Sequence, residues 1–274
     1  MIGTLLVDGP HHKGLVSALS ELLAGVGATI VDSSHHAERG MLFQRLRFDA
    51  SMLERDLEPG LHALAARFEI RWRLARRERA KRVAVLVSKQ DHCLYDLLLR
   101  QRASELACSI AMVISNHPDT APIAQHFGVP FHHVPGTGGK ARQEAAICTL
   151  LEGVDLIVLA RYMQVLTPAF VARFPDRIIN IHHSFLPAFV GASPYRQAHE
   201  RGVKVVGATS HYVTSELDQG PIIAQETIGC SHRDSVDDLV RKGRDLEKRV
   251  LAAAVQAHLE DRVLVHAGKT VVFE

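Results

Sequence analysis

The sequence predicts an α/β protein of two domains: an N-terminal ferredoxin-like βαββαβ unit and a C-terminal, mostly parallel, doubly wound sheet. Three observations predict it. Residues 2–74 carry strand and amphipathic helix patterns in the order strand, helix, strand, strand, helix, strand. From residue 82 the strands become continuous apolar runs, each followed by a helical pattern, as in a sheet covered on both faces. Between the two regions, "RRERAKR" is the most basic and least apolar short segment and reads as a solvated linker. The expected domains are 1–75, a linker at 76–82, and 83–274.

Each element has a local reason. "IGTLLV" is a strand, and "GLVSALSELLAGVG" is an amphipathic helix closed by glycine. "ATIVDSSHHA" and "MLFQRLRFDA" are strands separated by "ERG", a hairpin signal. "MLERDLEPGLHALAARF" is a second helix, and "EIRWRLA" the last strand of the small unit. In the larger region "RVAVLVS" precedes the helical "DHCLYDLLLRQRASELA", and "CSIAMVIS" precedes "TAPIAQHFG". "PFHHVP" precedes "GKARQEAAICTLLEG", "VDLIVLA" precedes "TPAFVARF", and "RIINIHH" is the fifth strand. Then come a short helix "PYRQAHERG", strands "KVVGATSHYVT" and "PIIAQETI", a long amphipathic helix over 235–261, and a terminal hairpin "RVLVHAGKTVVFE".

Composition narrows the function. With 274 residues, 47% hydrophobic, 23% charged and a net charge of +2, the chain is too balanced to be expected on nucleic acid. No apolar run approaches the roughly 20 residues of a membrane span, and the N-terminus lacks a signal-peptide pattern, so the cytoplasm is the expected compartment. Cys93, Cys108, Cys148 and Cys230 are widely spaced, as expected of small buried thiols. Seventeen histidines include four adjacent pairs. Neighbours on a strand point to opposite faces, and neither HExxH nor a Cys-His ligand spacing occurs, so no metal site is expected. No GxGxxG follows the first strand of the larger sheet, and "GTGGK" at 136–140 lacks the spacing of a phosphate loop.

The chemistry-bearing stretch is "NIHHSFLPAF", residues 180–189. In an open α/β sheet, ligands bind beyond the carboxyl ends of the strands. Asn180 and His182 sit at such an end, two apart and therefore on one face. An amide and an imidazole side by side suit a carbonyl that becomes an oxyanion, although such a pair also satisfies local backbone. A second cluster, "TSELDQGPII", puts Glu216 and Asp218 in a turn, where a carboxylate either caps the turn or orients a histidine. A third, "LARYMQVLTP", either starts a helix or walls a flat ligand.

The string "NIHHSFLPAFVGASPYRQAHERGVKVVGATSHYVTSELDQGPIIAQE" resembles the catalytic half of the folate-dependent formyltransferase family, in the form its deformylase branch carries. The resemblance spans about residues 82–274, and the N-terminal unit resembles the ACT domain of that branch. It implies that Asn180, His182 and Asp218 form the catalytic trio. It also implies a pterin pocket lined by Met163, Gln164, Val165 and Leu166, closed by a loop of Val213, Thr214, Ser215, Glu216 and Leu217. The implied reaction is hydrolysis of 10-formyltetrahydrofolate to formate and tetrahydrofolate. Folate is then the substrate, with no cofactor and no metal. The implied partners are an amino-acid effector at the ACT-like unit and further copies of the chain. Relatives carry arginine where Gln164 and Ser193 stand, and "DGPHHKGL" lacks their Cys-Pro-Asp-Arg approach to the first helix. Two other readings use the same residues: formyl transfer to an amine, and a folate- or amino-acid-binding regulator with a degenerate site. The segment "SKQDHCLYDLL" after the first large-domain strand has no glycine to cradle a phosphate-bearing acceptor, which favours water.

Overall fold

The computed structural model describes residues 2–51, 56–76, 79–188 and 194–274, and the chain forms two compact units. The first comprises Met1–Arg79 together with Glu260–His266 and Val271–Glu274; the second comprises Ala80–Leu259 with Ala267–Thr270. The basic linker is described only in part, since residues 77–78 lie outside the described set, as does Ser193.

The first unit follows the expected βαββαβ order: β1 (Ile2–Pro10), α1 (Leu15–Gly25), β2 (Thr29–Glu38), β3 (Met41–Asp49), α2 (Glu58–Phe68) and β4 (Arg71–Arg76). The strands form one sheet in the order β2-β3-β1-β4, with every pairing antiparallel. "ERG" makes the hairpin through Arg39 and Gly40, both at positive φ, so the turn matches the strand twist. Leu5, Val7, Leu46 and Phe48 of the sheet pack with Leu19 and Leu61 of the helices in one core.

The terminal hairpin departs from the expected domain division. Its strands, β12 (Val263–His266) and β13 (Lys269–Val272), were expected to close the larger domain. Leu264 and Phe273 instead pack with Leu6 and Phe43 of the first unit. The physical reason lies in β1, which is buried at seven consecutive positions and has a second apolar face to cover.

The second unit contains β5 (Lys81–Val87), α3 (His92–Arg102), β6 (Cys108–Ser115), α4 (Ala121–His126), β7 (Phe131–His133), α5 (Lys140–Leu150), β8 (Leu156–Leu159) and α6 (Pro168–Val171). It continues through β9 (Ile178–His182), α7 (Pro194–Glu200), β10 (Val205–Tyr212), β11 (Ile222–Gly229) and α8 (Val236–Leu259). The seven strands run in the order β11-β10-β9-β8-β5-β6-β7. The pairs from β9 to β7 are parallel, and β10 and β11 are antiparallel additions at one edge. The winding reverses between β5 and β8, the switch point where open α/β sheets hold ligands.

Candidate active site

β9 runs Ile-Ile-Asn-Ile-His and then stops. Ile178, on the same side as Asn180 and His182, packs in the core cluster with Leu159, Leu166 and Phe170. The polar pair therefore continues an inward-facing row instead of turning to solvent. The chain beyond is tied to β10. Thr209 Oγ1 donates to the Ser184 carbonyl at 2.9 Å and accepts from the Leu186 amide at 3.0 Å, while Gln225 Nε2 donates to Thr209 Oγ1 at 2.9 Å. These bonds satisfy the Ser184 carbonyl and the Leu186 amide where the chain leaves the strand.

Asp218 arrives from the turn between β10 and β11. Its own φ is 56°, a left-handed conformation that aspartate tolerates better than most residues. Gly220, two residues on, lies so close to the Tyr212 carbonyl that a Cβ would overlap it. The D-Q-G-P sequence thus presses the turn against β10 and carries the carboxylate back over the sheet. Asp218 Oδ2 is 3.3 Å from His182 Nδ1, and Oδ1 is 3.7 Å from His211 Nε2. The hydrogen bond from His182, with the His211 ring beside it, holds the Asp218 carboxyl well below the usual carboxylate range, against a smaller opposing effect of burial. His182 Nε2, on the far side of the ring from Asp218, is buried without a protein partner.

The site holds a member that the sequence reading missed. His211 pairs across the β9–β10 ladder with Asn180, and Asn180 Nδ2 lies 3.2 Å from His211 Nε2. His211 Nδ1 is 2.9 Å from the Tyr212 carbonyl, an acceptor, so Nδ1 carries the proton and Nε2 accepts from the Asn180 amide. A register shift between Ser210 and His211 lets β10 re-aim at this point. The signal in the sequence was a histidine inside a strand with no charged or amide side chain beside it, "GATSHYV".

The expected trio is thus brought together, and the expected pocket residues are placed as follows. Leu166 is buried in the cluster against which Val213 packs. Met163, Val165 and Leu217 are 60%, 64% and 63% exposed, large apolar side chains left uncovered. Gln164 and Thr214 are half-buried, and Ser215 and Glu216 exposed. The loop bearing Met163–Leu166 is pinned at both ends. The Met163 amide donates to Ser88 Oγ at 3.0 Å, and the Thr167 amide donates to Glu144 Oε1 at 2.8 Å.

His183, the residue after β9, lines an apolar cavity of about 170 Å³ with Tyr195, Val206 and Gly207. Burial, with Arg161 and His182 nearby, pushes its pKa down to about 4, so the ring is neutral at pH 7. Beyond Tyr195, whose hydroxyl donates to Glu247, the side chains of His92, Cys93 and Glu247 offer ligand atoms within 4.8 Å of one another. The Arg161 guanidinium, 3.6 Å from Glu247 Oε2, already supplies positive charge there.

The family model described as "Formyl transferase" matches residues 81–255, the stretch that carries this crossover sheet and the amide, two imidazoles and carboxylate around the end of β9. Proteins named formyltetrahydrofolate deformylase resemble the whole chain. The one from Synechocystis sp. is 48% identical, with 100% of this chain and 99% of that protein covered, and the one from Bacillus subtilis is 47% identical over 99% and 93%. The crystal structure of a formyltetrahydrofolate deformylase from Pseudomonas syringae superposes with a TM-score of 0.95 at 45% identity, covering 100% of this chain and 94% of that one. The chain belongs to the formyltetrahydrofolate deformylase family.

Proposed function

We propose that this chain hydrolyses 10-formyltetrahydrofolate to formate and tetrahydrofolate, with water attacking the formyl carbon beside Asn180, His182 and Asp218. The activity named for its full-length relatives supports this reading. The observation that carries the mechanism is His182, held at Nδ1 by Asp218 while its buried Nε2 faces no protein group. Asp218 is too weak a base in this setting to take a proton itself. Its part is to fix the His182 tautomer and stabilise the imidazolium, and Nε2 takes the proton from water.

The new carbon–oxygen bond leaves negative charge on the formyl oxygen. One Asn180 N–H is committed to His211, and the other serves that oxyanion. The bond from the carbon to N10 then breaks, and the proton on His182 Nε2 passes to N10. The uncovered side chains of Met163, Val165 and Leu217 wall the pteridine, as exposed apolar clusters do in ligand sites. In this reading the chain's own groups and one water suffice, and folate is substrate throughout.

No helix among the described residues is long and apolar enough to cross a membrane. In the same reading the first unit pairs with further copies of the chain through its exposed β2 edge and takes an amino-acid effector beside residues 8–14. There Asp8 faces Arg71 and, at 3.3 Å, His266. Incubation with 10-formyltetrahydrofolate and no amine tests the assignment: formate and tetrahydrofolate should appear in equal amounts. Release of tetrahydrofolate only when an amine is added, with the formyl group on that amine and no formate, would refute it.

A further inference from the structure

The switch point between β5 and β8, where a ligand would enter an open α/β sheet, is occupied by the protein's own charges. Glu247, in the middle of α8, is 1% exposed. Its Oε1 accepts from the Tyr195 hydroxyl at 2.8 Å, and its Oε2 lies 2.8 Å from His92 Nε2 and 3.6 Å from Arg161 Nε. Arg161 Nε also donates to Gln90 Oε1 at 2.8 Å. The cluster therefore joins the segment after β5, the segment after β8, α7 and α8.

Two features show that room was made for it. Arg161 has φ 63°, a backbone conformation that side chains rarely adopt, and it is 8% exposed. Gly243, one turn before Glu247, lacks the Cβ that would overlap the Tyr195 ring. A buried ion pair is weak evidence for stability, since replacing it by apolar groups is often neutral, so its presence asks for another explanation. The cluster adjoins the reacting centre: the Tyr195 ring is 6.3 Å from that of His183, which is 5.1 Å from that of His182.

We propose that the Arg161–Glu247–His92–Tyr195 cluster is a specificity device that fills the acceptor side of the active site, so that water alone reaches the formyl carbon. The inference rests on the hydrolase reading above. With the crevice opened, a small primary amine takes the place of water. Its nitrogen bonds to the formyl carbon, the bond to N10 breaks, and the proton lost by the amine ends on N10. A site with a vacated pocket discriminates poorly against a slightly larger nucleophile, whereas a filled one excludes it.

The test supplies 10-formyltetrahydrofolate with methoxyamine, an amine uncharged at neutral pH, and measures formate and N-methoxyformamide after subtracting the enzyme-free rates. The wild-type protein should release formate at a rate the amine does not alter. Arg161→Gly removes the guanidinium and suits the backbone. His92→Ala opens the cluster from its outer side while leaving Glu247 paired with Arg161. Either variant should raise the ratio of formylated amine to formate by about tenfold or more. If both variants fold, bind folate and keep the wild-type ratio, the proposal is overturned, as it is if the wild-type protein formylates the amine equally well. Absence of formate from the wild-type protein without amine would instead refute the hydrolase reading.

Discussion

His211 Nε2 sits 3.2 Å from the amide nitrogen of Asn180, directly across the β9–β10 ladder, with its other ring nitrogen committed to the Tyr212 carbonyl. The contact fixes which way the Asn180 amide faces, so one N–H is left for the oxyanion. Replacing His211 by Ala frees the amide to rotate. Turnover should fall by at least about tenfold, short of the roughly 10²–10³ typical of losing an oxyanion donor outright. Folate affinity should change little. Steady-state formate release together with a substrate-binding titration checks both.

The two adjacent histidines should separate cleanly. His182→Ala removes the group that moves the proton, and turnover should drop by about 10²–10⁴. Asp218 holds His182, whereas His183 lines an apolar cavity, so His183→Ala should retain much more activity. Equal losses in the two variants would mean that the proton is handled from the His183 side.

His183 also sets a pH dependence of stability. Its folded pKa, about 4, lies below the value near 6.5 expected in the unfolded chain. The unfolded state therefore binds more protons between those values. The stabilising contribution is complete above about pH 6.5 and is lost as pH falls towards 4, by up to roughly 3 kcal/mol. Urea unfolding at pH 7 and pH 4.5 should show a smaller stability difference for His183→Asn than for the wild-type protein.

Gly220 has no space for a side chain beside the Tyr212 carbonyl. Gly220→Ala should push the turn away from β10, destabilise the protein by about 1–3 kcal/mol, and separate Asp218 from His182. Thermal unfolding should report the first effect and formate release the second.

Glu144 holds the end of the segment that walls the proposed pteridine site, by accepting from the Thr167 amide and hydroxyl. Glu144→Ala should loosen that wall and raise KM for folate more than it lowers kcat, because the groups around the formyl carbon are untouched. A kinetic split in the opposite direction would place the loop's effect on the chemistry.

Much of this was legible in the residue order. "RIINIHH" announced a strand with an inward polar end, and D-Q-G-P announced a turn able to present a carboxylate. His211 was not legible, because its partner is set by the register of β9 against β10, which neither strand encodes alone. Glu247 reads as one more charge on an amphipathic helix, yet it is buried, and only the packing of α8 against α3 and α7 reveals its partners. The terminal hairpin was misassigned because neighbours in sequence are a weaker guide than the apolar faces of Leu6 and Phe43 waiting to be covered.

The most direct measurement is single-turnover formate release by Asp218→Asn, with substrate affinity determined in parallel. The amide retains the size of the carboxylate but lacks the charge that stabilises the imidazolium, and its NH2 group can donate to His182 Nδ1 and select the wrong tautomer. Release should slow by about 10²–10⁴ with affinity retained. A variant that binds folate normally and releases formate within a few-fold of the wild-type rate would contradict the account.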